Sequence, residues 1–327
     1  MHLTILRIIV ATVAGLLFAA STGVGQPSAK RATVGVLLLG QSSTAVFETF
    51  RGALRDLGYI EGETLTLEIR EAVGQEATLP SLAAELVQLQ VDVIFAGGDA
   101  AVRAAKQATR TIPIVMLVGG DPVGAGLVAS LNRPGDNITG VTGLSPRLSA
   151  RRLEFLKQAV PTLSHVAILF NPDDETKAVE RQQLQATARA LGIRLHPVEI
   201  RSPEAFEPGF RTMVKEGVNG LIVLSTAFTF FYRTQIVNLA AEYRLPAIYE
   251  RKEFVEVGGL MAYGTSLPDM LRQAAVYIDK ILQGAEPGTM PVAQASKFEL
   301  AVNLETATAL GLTLPSAILS WADVVRR

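Results

Sequence analysis

VDVIFAGG, residues 91–98, is an apolar run interrupted by one aspartate, rich in β-branched and aromatic side chains, closed by two glycines and followed at once by Asp99. A strand that is apolar on both faces must be covered on both, which is the condition of a parallel sheet with helices on either side. The pattern continues outward. Residues 79–90 and 99–109 have helical periodicity, and IPIVMLVGG (112–120) reads as another buried strand. Upstream, ATVGVLLLG (32–40) is a strand. Val46, Phe47, Phe50, Ala53, Leu54 and Leu57 then share one helix face, with Gly58 where a left-handed cap belongs. TLTLEIR (64–70) alternates apolar and polar residues, as a strand with one wetter face does.

The same order begins again in the second half. VNGLIVLS (218–225) answers VDVIFAGG, residues 166–170 answer 34–39, Leu191-Gly192 answers Leu57-Gly58, and LPAI (245–248) answers IPIV (112–115), each pair roughly 130 residues apart. A repeat of that length predicts two similar domains rather than a solenoid. The fold class is therefore α/β, with two Rossmann-like lobes built on parallel sheets. GGLMAYG (258–264), a helix over 267–283, KFELAVNL (297–304) and a short helix over 305–310 exceed what the second lobe needs. This surplus predicts that the chain returns to the first lobe and then to the second. The expected lobes are residues 31–142 plus 257–284 and residues 143–256 plus 285–327, joined by a multi-strand hinge.

The 327 residues carry 30 basic and 31 acidic side chains, so no net field steers the protein toward nucleic acid or an anionic membrane. Residues 1–25 have a secretory layout: a cation at Arg7, an apolar stretch over 8–20, and small residues over 19–25. The apolar stretch is shorter than the ~20 residues that span a bilayer. Cleavage is expected near residues 21–25, giving a soluble protein suited to a periplasm. The chain has no cysteine, which excludes a cysteine-linked lipid anchor, disulfides and thiolate metal sites.

In open parallel sheets ligands bind beyond the carboxyl ends of the strands, where loops converge and helices begin. In the first lobe this singles out Gln41, Ser42 and Ser43, then Gly98 and Asp99, then Asp121. In the second it singles out Asn171, then Thr226 and Phe228, then Tyr249 and Arg251. The loop serines and Asp99 suit helix N-caps as well as a ligand. Asp121 follows two glycines and precedes Pro122, so it is either a cap or a ligand contact. Among the aromatics near these loops, Phe228 and Tyr249 are preferred to Phe230, Phe231 and Tyr263 as ligand contacts. Arg251 either pairs with a ligand anion or lies in solvent.

Catalysis needs a positioned nucleophile, base or metal, and none is legible. His165 and His196 sit at or within strands, away from the convergent loops, with no metal-ligand spacing. GGDPVGAG (119–126) is glycine-rich but lacks the Walker lysine and the dinucleotide-binding spacing. Asp173-Asp174 reads as a helix start. No cofactor, metal or catalytic residue is expected.

RGALRDLGYIEGETLTLEIR, LPSLAAELVQLQVDVIFAGG, AAKQATRTIPIVMLVGGDPVGAGLVASLNRPGDNITG, RLEFLKQAVPTLSHVAILFNP, LPAIYERKEFVEVGGLMAYG and KFELAVNLETATALGL resemble ABC-transporter substrate-binding proteins of the tryptophan/tyrosine type, over residues 33–325. The resemblance implies a type I periplasmic-binding-protein fold with three interlobe crossings. It also implies a monomer that delivers a small solute to an inner-membrane permease driven by a separate ATPase. For an amino-acid solute the implied assignment puts the ammonium on Asp121. The carboxylate goes to Ser42, Ser43 and the backbone near residues 98–100, and the side chain against Phe228 or Tyr249. A ligand-binding module that signals to a membrane receptor is the alternative on the same fold.

Overall fold

The structure, a computed structural model, describes residues 31–41, 45–143, 146–174 and 177–327; the expected signal peptide and Ser42 and Ser43 lie outside these residues. The first five strands, β1 (Ala32–Leu38), β2 (Leu65–Glu71), β3 (Val93–Gly97), β4 (Ile114–Val118) and β5 (Ile138–Thr142), form a parallel sheet in the order β2-β1-β3-β4-β5. The next five, β6 (His165–Phe170), β7 (Arg194–Glu199), β8 (Gly220–Val223), β9 (Ala247–Tyr249) and β10 (Met261–Thr265), make a second sheet in the equivalent order β7-β6-β8-β9-β10. Three late strands complete the edges. β11 (Ala293–Gln294) joins β5 in the first sheet, while β12 (Phe298–Asn303) runs antiparallel to β10 and carries β13 (Val324–Arg326) in the second.

Side-chain alternation explains why these strands are continuous apolar runs. Val93 and Phe95 pack with Val34, Val36, Val115 and Leu117 on one face of the first sheet. Ile94 and Ala96 pack with Leu37, Ile114 and Met116 on the other. Both faces are dry, so period-two polarity disappears. The first face is covered by α1 (Ala45–Asp56), whose Phe50 is stacked on Phe95 at 4.6 Å between ring centroids. The second is covered by α2 (Leu79–Gln88) and α3 (Asp99–Ala108) through Leu86, Val102 and Ala105. β2 lies at the sheet edge, where Leu65 alone is fully buried and the rest is half-buried.

Between β5 and β10 the helices are α4 (Pro146–Ala159), α5 (Ala178–Ala190), α6 (Phe206–Lys215), α7 (Ala227–Phe231), α8 (Arg233–Glu242) and α9 (Lys252–Glu256). α10 (Leu267–Leu282) then returns to the first lobe, where Met270, Ala274 and Ile278 share a cluster with Phe47, Phe50 and Leu54 of α1. Among the described residues the chain thus passes between the sheets after β5, after β10 and after β11. This is the type I periplasmic-binding-protein arrangement.

The expected lobe boundaries need correction on two points. Residues 261–265 were assigned to the first lobe, but β10 pairs with β9 and β12 and belongs to the second sheet. Residues 293–294 were assigned to the second lobe, but β11 pairs with β5 in the first. An apolar run such as GGLMAYG fits the edge of either sheet, and its register is decided by its neighbours rather than by its own pattern. Among the described residues no helix is long and apolar enough to cross a membrane.

Candidate functional site

In both sheets the strand order reverses beside the first strand of the lobe, so the loops after β1 and β3, and after β6 and β8, part and leave a crevice. A cavity of 400 Å³ lies where these two crevices meet. Its volume is in the range that encloses a small solute. The first lobe contributes Leu38 to Gln41, Gly97 to Asp99 and Gly119, and the second contributes Ser225 to Ala227, Phe230, Phe231 and Arg251. A smaller cavity of 230 Å³ adjoins it, between Glu76, Asp99 and Arg103 on one side and Asn171, Asp173 and Asp174 on the other.

The two walls touch. Gly98 has φ of 93°, and a Cβ there would lie 2.6 Å from the Ala227 Cβ of the opposite lobe. Only glycine satisfies both demands. The Gly119 carbonyl accepts a long, 3.5 Å hydrogen bond from Lys177 Nζ of the second lobe.

One wall of the larger cavity is apolar: Phe47, Phe95, Leu117, Leu267 and Leu271 belong to the cluster between α1, α10 and the first sheet. The other carries charge and hydrogen-bonding capacity. Arg251 lines the cavity, its guanidinium 5.1 Å from the centre of the Phe230 ring, and none of the described residues forms an ion pair with it. Burial depresses the Arg251 pKa, against the opposing charges of Glu253 and Glu250. Arg233 approaches Phe230 at 4.8 Å, and its Nη1 donates to the Phe230 carbonyl. Two cations on one ring hold that ring in place by cation–π attraction. Ser225 is buried, lines the cavity, and has a hydroxyl with no partner among the described residues. An unmade hydrogen bond of that kind costs about 1–3 kcal/mol unless a ligand or water completes it.

Behind this wall lies a closed square of charges. Lys177 Nζ is 2.8 Å from Glu180 Oε1 and 2.8 Å from Glu250 Oε2; Arg152 Nη1 is 3.1 Å from Glu180 Oε2 and 3.5 Å from Glu250 Oε1. All four side chains are buried. Burial works against ionisation of Glu180, but the charges of Lys177 and Arg152 outweigh it and hold its pKa down at about 2. Glu250 goes the other way, raised by burial and then by the Glu180 charge beside it. Burial would lower the Lys177 pKa, yet the two glutamates raise it above the ordinary lysine value. The square is neutral as a unit, which is the condition for keeping four charges out of water.

The expected site residues separate into three groups. Gln41, Gly98, Asp99, Thr226 and Arg251 line the larger cavity. Thr226 also caps α7, its Oγ1 accepting from Thr229 N at 3.1 Å, and Asp99 pairs with Arg103 at 2.7 Å. Asn171 and Phe228 line the smaller cavity, where Asn171 Oδ1 accepts from Asp173 N and Phe228 is packed between Phe206 and Tyr232. Asp121 and Tyr249 line neither. Asp121 Oδ1 accepts from Val123 N at 3.0 Å, so it organises its own turn. Tyr249 is fully buried, stacked on Phe254 at 4.6 Å, and burial raises its phenol pKa. The cavity aromatics are instead Phe230 and Phe231, with Phe47 and Phe95. Ser225 and Glu250 belong to the strand-end loops expected to meet a ligand but are not among the expected contacts, and Arg233, Arg152, Lys177 and Glu180 are not marked out by the sequence. The legible signal for Glu250 was its place immediately after the strand LPAIY, one residue before Arg251. His165 and His196 pack against each other, and His165 Nδ1 lies 2.8 Å from Arg194 Nη2 in the second lobe.

The chain is 27% identical over 269 residues to the tyrosine-binding protein of Clostridioides difficile (strain R20291), covering 82% of this chain and 77% of that one. Among solved structures it is similar to an ABC domain from Streptococcus pneumonia in complex with L-Trp, with a TM-score of 0.84 at 23% identity over 90% of this chain and all of that one. It is also similar to the ligand-free, open structure of a substrate binding protein with adhesive properties from Clostridium difficile, with a TM-score of 0.64 at 25% identity over 90% of this chain and 99% of that one. The doubled sheets, the triple crossing and the interlobe cavity accompany a family match over residues 32–326, and the chain belongs to the ABC transporter substrate binding protein family.

Proposed function

We propose that the protein captures an aromatic amino acid between its lobes and delivers it to the permease of an ABC importer. The observation that carries this reading is the cavity with one apolar, partly aromatic wall and one wall bearing Arg251 and the unpartnered Ser225 hydroxyl. A solute that satisfies both walls has a flat apolar body and an anionic end. The carboxylate goes to Arg251 and Ser225, as a charge-assisted hydrogen bond in a water-poor site. The body packs among Phe230, Phe231, Phe95 and Leu271, and the ammonium turns toward Asp174 and Asp99. The similarity to a tyrosine-binding protein and to a structure holding L-Trp supports an aromatic amino acid in particular. Gln41 and the backbone at Gly98 complete the first-lobe side. Export fits the same role, with residues 1–25 removed and the mature chain free in the periplasm.

Titration calorimetry with L-tryptophan, L-tyrosine, tryptamine and indole-3-propionate tests the reading. One of the amino acids is expected to bind with micromolar affinity, about 8 kcal/mol, and tryptamine, which lacks the carboxylate, at least tenfold more weakly. Tight binding of a neutral sugar with no response to either amino acid would overturn it. The mass of the exported protein, and uptake of labelled amino acid with and without the gene, check export and delivery.

A further inference from the structure

The charge square touches three parts of the molecule: the cavity wall, a crossing between the lobes and the opposite lobe. On one side Glu250 precedes Arg251, which faces the cavity. On a second side Arg152 Nε donates to the Tyr263 carbonyl at 2.8 Å, and Tyr263 lies on β10, the strand from which the chain crosses into α10 of the first lobe. On the third side Lys177 Nζ, having satisfied two carboxylates, reaches the Gly119 carbonyl across the cleft. Gly119 is itself a cavity wall, and a Cβ placed on it would stand 3.4 Å from Lys177 Nζ and 3.9 Å from Arg251 Nη2.

A buried ion pair is commonly replaceable by apolar side chains of similar volume without loss of stability, so folding alone does not call for a lysine here. Closure does. When the lobes meet, the Gly119 carbonyl leaves water and needs a donor, and the third ammonium hydrogen of Lys177 needs an acceptor. Each completes the other where the two lobes are in contact. We propose that Lys177 is a positioning residue that latches the closed lobes: it ties the first-lobe carbonyl at Gly119 to Glu250 and thereby to the Arg251 wall and the β10 crossing. This goes beyond the choice of solute, since the latch acts whatever occupies the cavity.

The test uses the absence of cysteine from the chain. Gln107→Cys and Asp173→Cys put one thiol on each lobe at the smaller cavity, and the rate at which a short bismaleimide joins them in solute-free protein reports how often the lobes close. The Lys177→Met/Glu250→Gln pair removes the latch while leaving Arg152 and Glu180 matched. It is expected to slow joining at least fivefold, with the melting temperature held within a few degrees. Lys177→Met/Glu180→Gln removes the same ammonium while leaving Arg152 matched to Glu250, and it too is expected to slow joining. Equal rates in the parent and the Lys177→Met/Glu250→Gln protein would overturn the latch. If that protein does not fold, an unchanged rate in Lys177→Met/Glu180→Gln overturns it instead. Because no solute is added, failure here is separate from failure of L-tryptophan or L-tyrosine to bind.

Discussion

The two lobes share one strand order, yet the walls they bring to the cavity are unlike. The first lobe offers strand ends, glycine backbone and the apolar side chains of α1 and α10. The second offers Arg233, Arg251 and Ser225, with Lys177, Glu180, Glu250 and Arg152 behind them. A repeated frame therefore carries unequal chemistry. Charges in a water-poor site need fixed counter-charges and hydrogen bonds around them, and these are easiest to hold within one rigid lobe. An apolar wall needs no such support, and by excluding water it strengthens every charge interaction beside it.

The contrast is broken most severely from the charged side. Glu180→Gln leaves two cations facing one carboxylate in a buried site, with an expected loss of about 3–5 kcal/mol in urea unfolding at neutral pH. A loss below about 1 kcal/mol would show that the square is not held tightly. Next in size, Arg251→Met is expected to weaken L-tryptophan binding about 100-fold, close to 3 kcal/mol, with little change in melting temperature. Calorimetry decides it; an equal loss for tryptamine would mean that the arginine does not read the carboxylate. Within the second lobe, Phe231→Ala on α7 is expected to cost about tenfold in affinity, in line with one aromatic contact.

A smaller effect concerns the mouth. Glu76 of the first lobe faces Asp173 and Asp174 of the second, beside Asp99 and Arg103. Its pKa is raised by burial and then by the charges of Asp174, Asp173 and Asp99. A carboxyl raised in the closed fold favours that fold while protonated and loses the benefit as pH rises through its folded value. Glu76→Gln should therefore match the parent in melting temperature at acidic pH and exceed it at neutral pH. No divergence between the two pH profiles would show that the carboxylates around Glu76 do not burden the fold. Smallest of all, Asp121→Ala should leave affinity within about twofold, since a surface cap is worth at most about 1 kcal/mol to its own turn.

Much of the frame was legible because burial on both faces writes itself into composition. VDVIFAGG and IPIVMLVGG are strands whichever sheet holds them, and Gly58, with φ of 92°, ends its helix where the apolar period stops. Strand β5 was not marked out, because NITGVT mixes threonine and glycine, and its buried Thr139 and Thr142 hydroxyls are satisfied by the Met290 and Gly120 carbonyls. The loops of the site were legible too, since they are the carboxyl ends of the strands. Which side chain of a loop enters the cavity was not. Phe228 and Phe231 are three residues apart on one short helix, and one packs against Phe206 while the other lines the cavity.

The sequence by itself determined the alternation of strands and helices, its repetition, the loops that line the cavity, and the lack of cysteine. Those properties are local, or depend only on how much of each segment is buried. The tertiary structure decided where β10 and β11 belong, and which aromatics line the cavity. It also decided that Arg152, Lys177, Glu180 and Glu250, spread over residues 152–250, form one neutral unit. Edge pairing and buried charge balance are relations between distant segments, and a carboxylate in sequence carries no mark of the cation that will neutralise it. Arg251, equally consistent with solvent or ligand as a residue in a loop, is set in the cavity wall only by the packing around it.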